Sequence, residues 1–193
     1  MTTVLLTGFE PFGTATSNPS GEIVKQISGD NIVTAILPVA YAGSAERLLE
    51  LIAEHNPDVV ICLGQAEGRT HITPEKVAIN LDDARLADNE GVLRNDVKIL
   101  EDGPDAYFTT LPINKMVEAI KAKGVPAAVS LSAGAFLCNH VFYVAQNKFV
   151  GTKVRSGFVH VPLMDSQAPE FPGLPTMPLD QMVKAVRAML EVL

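Results

Sequence analysis

Two thiols and four imidazoles are the groups in this 193-residue chain that could attack a carbonyl and be activated to do so. Cys62 lies inside Val-Val-Ile-Cys-Leu, residues 59–63, and reads as a small apolar core residue. Cys138 differs, because it follows the glycine-containing turn of SAGAFLCNHVF, residues 132–142, at the expected start of a helix. Unpaired N–H groups and the positive end of the helix dipole gather there. They favour thiolate over thiol, which makes a nucleophile. Cys138 is therefore a candidate for covalent catalysis, with simple packing as the other reading.

A nucleophilic thiol needs a base. His55 ends an exposed-looking helix, and His71 lies in a charged loop. His140 is two residues after Cys138, a spacing that points side chains apart on a helix and suits a packed or hydrogen-bonded histidine. His160 closes the apolar run GFVHV just before Pro162. A strand end beside a loop is where α/β sheets place their chemistry, so His160 ranks first. A third group should orient the imidazole. Residues 64–106 offer Glu67, Glu75, Asp82, Asp83, Asp88 and Glu90, and spacing does not select among them; most read as solvated charges. Phe9 and Phe12 of GFEPFG could wall an apolar pocket or cap the core. GQAEGRT, residues 64–70, lacks the lysine and spacing of a phosphate-binding P-loop, and no cluster has zinc-ligand spacing.

The elements that must position these groups follow from periodicity. Strands are expected at 3–7, 31–39 and 59–63, and helices at 20–28, capped by Asn18 or Ser17, and 44–55. The fully apolar 59–63 run suits a sheet covered on both faces. This β-α-β-α-β rhythm is that of an α/β domain. Residues 64–106 break it, with one expected strand at 76–81 in an otherwise loop-rich stretch of the kind that is functional or mobile. Strands are expected again at 107–110, 127–131 and 155–161, and helices at 114–123, 138–147 and 179–193. No repeat or linker divides the chain, so residues 1–193 are expected to form a single domain.

Bulk composition agrees. The chain is 47% hydrophobic and 19% charged, which fits a globular protein. A net charge of −7 argues against nucleic-acid or anionic-membrane partners, which require a basic face. No run approaches the ~20 apolar residues of a membrane span. MTTVLLTGFEPFG has no basic segment before its apolar run and reads as a first strand instead of a signal peptide. Two cysteines make a poor disulfide framework and suit a reducing cytosol, so a cytoplasmic location is expected.

Several motifs, in order along nearly the whole chain, resemble those of the pyroglutamyl peptidase I (pyrrolidone-carboxylate peptidase) family of cysteine peptidases. They are LLTGFEPFG (5–13), SNPS (17–20), GQAEGRT (64–70), PEKVAINLDDARLADNEG (74–91), SAGAFLCNHVFY (132–143) and GFVHVP (157–162). The resemblance implies a three-layer α/β/α sandwich around a twisted mixed sheet, like that of nucleoside phosphorylases. It implies removal of an N-terminal pyroglutamate from peptides by a Cys-His-Glu triad. Carried over residue by residue, Cys138 is the nucleophile, His160 the base and acid, and Glu75 the orienting carboxylate. Arg85 falls beside the nucleophile near the oxyanion region. Phe9 and Phe12 pack around the lactam ring, Gln65 lines the same pocket, and Asn18 lies near the site. The resemblance further implies no metal or organic cofactor, pyroglutamyl peptides as substrates, and a homo-oligomer, tetramer or dimer.

The chain departs from the family pattern in places. TATS follows GFEPFG where a second glycine is common, and Glu67 stands where a small residue or proline is expected. The 138–160 segment is slightly short, and Leu-Met follows HVP in place of an aromatic. These differences bear on loop shape and peptide preference and leave the triad untouched. Two other readings share the same residues: a cysteine amidohydrolase for another acyl group, and a non-catalytic α/β binding module with Cys138 merely packed.

Overall fold

The computed structural model describes residues 2–193. The central sheet contains β1 (Val4–Phe9), β2 (Ile32–Leu37), β3 (Val59–Gln65), β4 (Thr73–Pro74) and β7 (Arg155–Val161) in the order β2-β1-β3-β7-β4. The first four strands in that order are parallel and β4 is an antiparallel edge, so the sheet is mixed. Short pairs β5 (Val77–Ile79) with β6 (Ala106–Phe108), and β8 (Leu163–Met164) with β9 (Thr176–Met177), lie outside it.

Helices α1 (Pro19–Gln26), α3 (Ile113–Ala122) and α5 (Leu179–Leu190) share one core with Leu6, Ile61, Leu63 and Val159. Helices α2 (Tyr41–His55) and α4 (Leu137–Lys148) share the other with Leu5, Val60, Cys62 and Phe158. Alternate residues of the same strands thus feed opposite cores, which is the period-2 geometry of a sheet buried on both faces. The result is the three-layer α/β/α sandwich. Among the described residues no helix is long and apolar enough to cross a membrane.

The order of the strands creates the site. The chain leaves β1 for β2 on one side and then crosses to β3 on the other, with α1 and α2 on opposite faces. Such a reversal opens a crevice at the carboxyl ends of the strands, where open α/β sheets bind ligands. Phe9, Gln65 and Val161 are the last residues of β1, β3 and β7.

Two expectations change. Residues 127–131 are extended but form only isolated bridges, Ile72 with Ala127 and Glu75 with Ser130. They hydrogen-bond alongside residues 72–76, where Pro74 has no N–H to give and breaks the ladder. Helix α2 begins at Tyr41, three residues before the expected start, because Asp88 supplies its terminus: Tyr41 N–H donates to Asp88 Oδ2 at 2.9 Å. The irregular 64–106 segment is firmly built. Glu75, Asp82 and Asp88 are buried, while Glu67, Asp83 and Glu90 are exposed. Asp88 Oδ1 accepts the N–H groups of Glu90 and Val92.

Candidate active site

Cys138 is the second residue of α4. The N-cap residue, Phe136, offers no side-chain hydrogen bond, so the first-turn N–H groups of α4 lack a cap beside the thiol. Asn139 fixes this turn: its Nδ2 donates to the carbonyls of Ile79 and Leu81 at 2.9 Å each, and its Oδ1 accepts Ile79 N–H at 2.9 Å. His140 is the hydrogen-bonded histidine expected of it, with Nδ1 2.9 Å from Asp82 Oδ2. That carboxylate oxygen also accepts Arg94 Nη1 at 2.7 Å, and the guanidinium lies 4.4 Å over the Tyr41 ring.

His160 and Cys138 come together through strand register. Gly64 of β3 pairs with His160 of β7, and a Cβ built on Gly64 would lie 2.7 Å from Cys138 Sγ. Paired residues of parallel strands project on the same face, so imidazole and thiol share that face at adjacent strand positions. Glycine at 64 gives the sulfur its place. Gly8 plays a similar part below α1, where a Cβ would strike the Ser20 and Gly21 backbone.

Glu75 follows β4 and meets Phe158 of β7 through its N–H at 2.9 Å. This register sets its carboxylate diagonally beside His160, whose Nδ1 lies 2.7 Å from Glu75 Oε1. A carboxylate only accepts, so Nδ1 carries the imidazole proton and Nε2 keeps its lone pair. Arg69 Nη1 donates to the same Oε1 at 2.7 Å and to Thr73 Oγ1, while Nη2 reaches the Ser132 carbonyl at 3.1 Å. Of the six carboxylates open on sequence, Glu75 is the one that faces His160.

The electrostatics differ from the sequence expectation. Burial opposes ionisation of Glu75, but the hydrogen bond from His160 and the His160 and Arg69 charges outweigh it, holding the carboxyl below its usual range. Burial lowers the His160 pKa, only partly offset by Glu75. The Cys138 thiol is pushed up to about 12, first by burial and then by the Glu75 charge, with Arg69 opposing. Cys138 keeps some surface toward the crevice, yet protein crowds it closely enough for desolvation to dominate. The helix start alone favours thiolate; its surroundings reverse the balance. Burial thus favours a thiol beside a neutral imidazole, whose free nitrogen can act as base.

A cavity of about 170 Å³ opens above the thiol. Its walls are Phe9, Phe12, Phe136, Val39 and Leu137, with Cys138 among the lining residues. Phe12 packs on Phe136 with ring centroids 5.3 Å apart. The volume is below the roughly 300–1,000 Å³ of drug-sized ligand sites and suits one small ring. Asn18, Gln65 and Glu67 supply polar edges. Asn18 also builds α1: its Oδ1 accepts Ser20 N–H at 3.1 Å and Ser20 Oγ at 2.8 Å, and its Nδ2 donates to the Glu10 carbonyl at 3.0 Å. Gln65 Oε1 accepts Gln167 Nε2 at 3.0 Å, which turns its amide N–H₂ group away from that contact.

Five of the eight residues expected at the site, Phe9, Phe12, Asn18, Gln65 and Cys138, line this cavity, and Glu75 and His160 form the buried pair on the same sheet face. Arg85 is not among the lining residues: it is exposed and makes no side-chain hydrogen bond or ion pair among the described residues. The guanidinium at the carboxylate–imidazole pair is Arg69. Sequence reasoning passed over Arg69 although it lies in the GQAEGRT motif, five residues from Glu75's own PEKVAIN motif. It also missed Phe136 and Gln167, for which no local signal exists.

An α/β sandwich with a thiol at a helix start, beside a buried carboxylate–imidazole pair, is built like a cysteine hydrolase. The pyroglutamyl peptidase family model matches residues 2–193. The pyrrolidone-carboxylate peptidase of Bacillus thuringiensis (strain Al Hakam) is 44% identical over 199 residues, covering 100% of this chain and 93% of that protein. The crystal structure of Bacillus amyloliquefaciens pyroglutamyl peptidase I superposes with a TM-score of 0.94 at 44% identity, over 98% of this chain and 95% of that one. A mutant pyrrolidone carboxyl peptidase from the hyperthermophile Pyrococcus furiosus gives 0.93 at 37% identity, over 98% and 97%. The chain belongs to the pyroglutamyl peptidase family.

Proposed function

We propose that this protein hydrolyses the amide bond after an N-terminal pyroglutamate, with Cys138 as nucleophile, His160 as base and acid, and Glu75 as orienting carboxylate. The single observation that carries the reading is the Glu75–His160 pair, 2.7 Å apart, on the sheet face where Gly64 makes room for Cys138 Sγ. His160 Nε2 takes the thiol proton as sulfur attacks the carbonyl. The proton then passes to the leaving amine, which departs and leaves a thioester. Water, deprotonated by the same imidazole, attacks the thioester and releases pyroglutamate and the free thiol. Uncapped N–H groups of the first turn of α4 face the developing oxyanion, and loss of one such donor typically costs about 10²–10³ in rate.

The lactam is small, flat and uncharged, and the aromatic-walled cavity suits it. An N-terminal glutamine would bring an amine charge into apolar walls, and proline would lack the ring carbonyl. The mechanism draws on no metal or cofactor. Residues 1–193 act as one catalytic domain, in the cytoplasm. Self-association as a tetramer or dimer is what the family resemblance implies for this chain.

The test is hydrolysis of a pyroglutamyl-fluorophore amide under reducing conditions by wild type and Cys138→Ser. Activity in wild type alone is expected. Equal activity in both would remove Cys138 from the mechanism. Equal single-turnover rates on glutaminyl and pyroglutamyl peptides would overturn the pocket reading.

A further inference from the structure

The acyl cavity does not end at its rim. A second, larger cavity of about 690 Å³ shares Phe12, Gln65 and Glu67 with it, so the two are continuous. The wider groove is lined further by residues 13–15, Leu86–Asn89 and Phe171. Its walls are tied together: Gly13 N–H donates to Asn89 Oδ1 at 3.1 Å, and Asn89 Nδ2 donates to the Pro11 carbonyl at 2.9 Å. These bonds fix the two walls relative to each other.

Its charge is one-sided. Glu67 and Asp88 line it, and no lysine or arginine does. Asp88 has both carboxylate oxygens committed to backbone N–H groups of Tyr41, Glu90 and Val92. Glu67 is different. It is exposed, makes no hydrogen bond or ion pair among the described residues, and stands where the two cavities meet.

The geometry points to this groove as the seat of the peptide that follows pyroglutamate, with Glu67 as a specificity-determining residue that favours a lysine or arginine next to the lactam and disfavours an aspartate or glutamate. The inference rests on the peptidase reading above. With the lactam enclosed and its carbonyl at Cys138, the rest of the chain must leave the small cavity by its rim. The groove that opens there carries one uncommitted carboxylate. A solvent-exposed pair is worth little, so the selection is modest: at most about fivefold in kcat/KM for arginine over alanine. Salt should weaken it, as the pair is open to solvent.

The experiment compares kcat/KM for pyroglutamyl-arginyl, pyroglutamyl-alanyl and pyroglutamyl-glutamyl peptides at low and high salt. Wild type, Glu67→Gln and Glu67→Lys are assayed together. The expected order in wild type is arginine, alanine, glutamate. Glu67→Gln should level it and Glu67→Lys should reverse it, read in each protein as the ratio of kcat/KM to that of its own alanyl substrate. Identical ratios in all three proteins would overturn the role of Glu67 while leaving the peptidase reading intact. Failure of wild type to cleave any of the three would overturn both together, and the absence of all turnover distinguishes it from the first failure.

Discussion

Gly64→Ala is the most incisive perturbation of this site, because it adds one methyl group and no charge. The new Cβ would lie 2.7 Å from Cys138 Sγ and 2.6 Å from Phe158 Cζ. Non-bonded heavy atoms rest at about 3.5–4.0 Å, so sulfur and ring must each retreat by roughly 1 Å. The overpacking should cost about 1–3 kcal/mol of stability. A misplacement of about 1 Å between reacting groups can cost about 10²-fold in rate, and a similar loss in kcat/KM is expected on a pyroglutamyl-fluorophore substrate. Urea unfolding of the same samples measures the fraction folded. Gly157→Ala is the control, since its Cβ would press on Leu111 and Thr109 on the opposite face of the sheet. It should destabilise comparably and keep its activity per folded molecule. Full kcat/KM in folded Gly64→Ala would refute the placement of Cys138 Sγ over Gly64.

Other perturbations read other parts of the site. The raised Cys138 pKa predicts iodoacetamide alkylation that is slow at neutral pH and climbs into the alkaline range; a plateau already reached below pH 7 would show a resting thiolate–imidazolium pair instead. His160 and Glu75 both have pKa values held below their unfolded values, about 6.5 and 4.3, so the fold binds fewer protons than the unfolded chain. Their contribution to stability is present above those values and is lost as pH falls, first below about 6.5 and then below about 4.3. Urea midpoints against pH should show this, and His160→Gln should lose the upper step. Arg69→Met leaves Glu75 Oε1 with one donor and should cost about 1–3 kcal/mol of stability; Arg69→Lys should recover part of any lost kcat, whereas equal loss in both would show that the guanidinium's further bond, Nη2 to the Ser132 carbonyl, is what matters. Asn139→Ala strips three hydrogen bonds between α4 and residues 79–81 and should lower both the urea midpoint and kcat, with KM little changed; an unaltered kcat would show that α4 is positioned without it.

The alternation of apolar runs with helical periods determined the sandwich, because each strand of a doubly covered sheet is apolar throughout and each covering helix has one apolar stripe. Arg155–Val161 falls as expected, and Asn18 caps α1 with Pro19 behind it. Cys138 and His160 were legible for local reasons: a turn before a helix, and a polar residue at the end of an apolar strand. Glu75 was legible only through family motifs, since nine other carboxylates lie in the same stretch. Tertiary structure alone decided among them, because strand register, which no local pattern encodes, sets Glu75 beside His160 and Gly64 beneath Cys138. It also set the burial that acts on the pair. A helix start is visible in sequence, but the burial that outweighs it is a sum over neighbours from β3, β7 and α4, brought together only by folding.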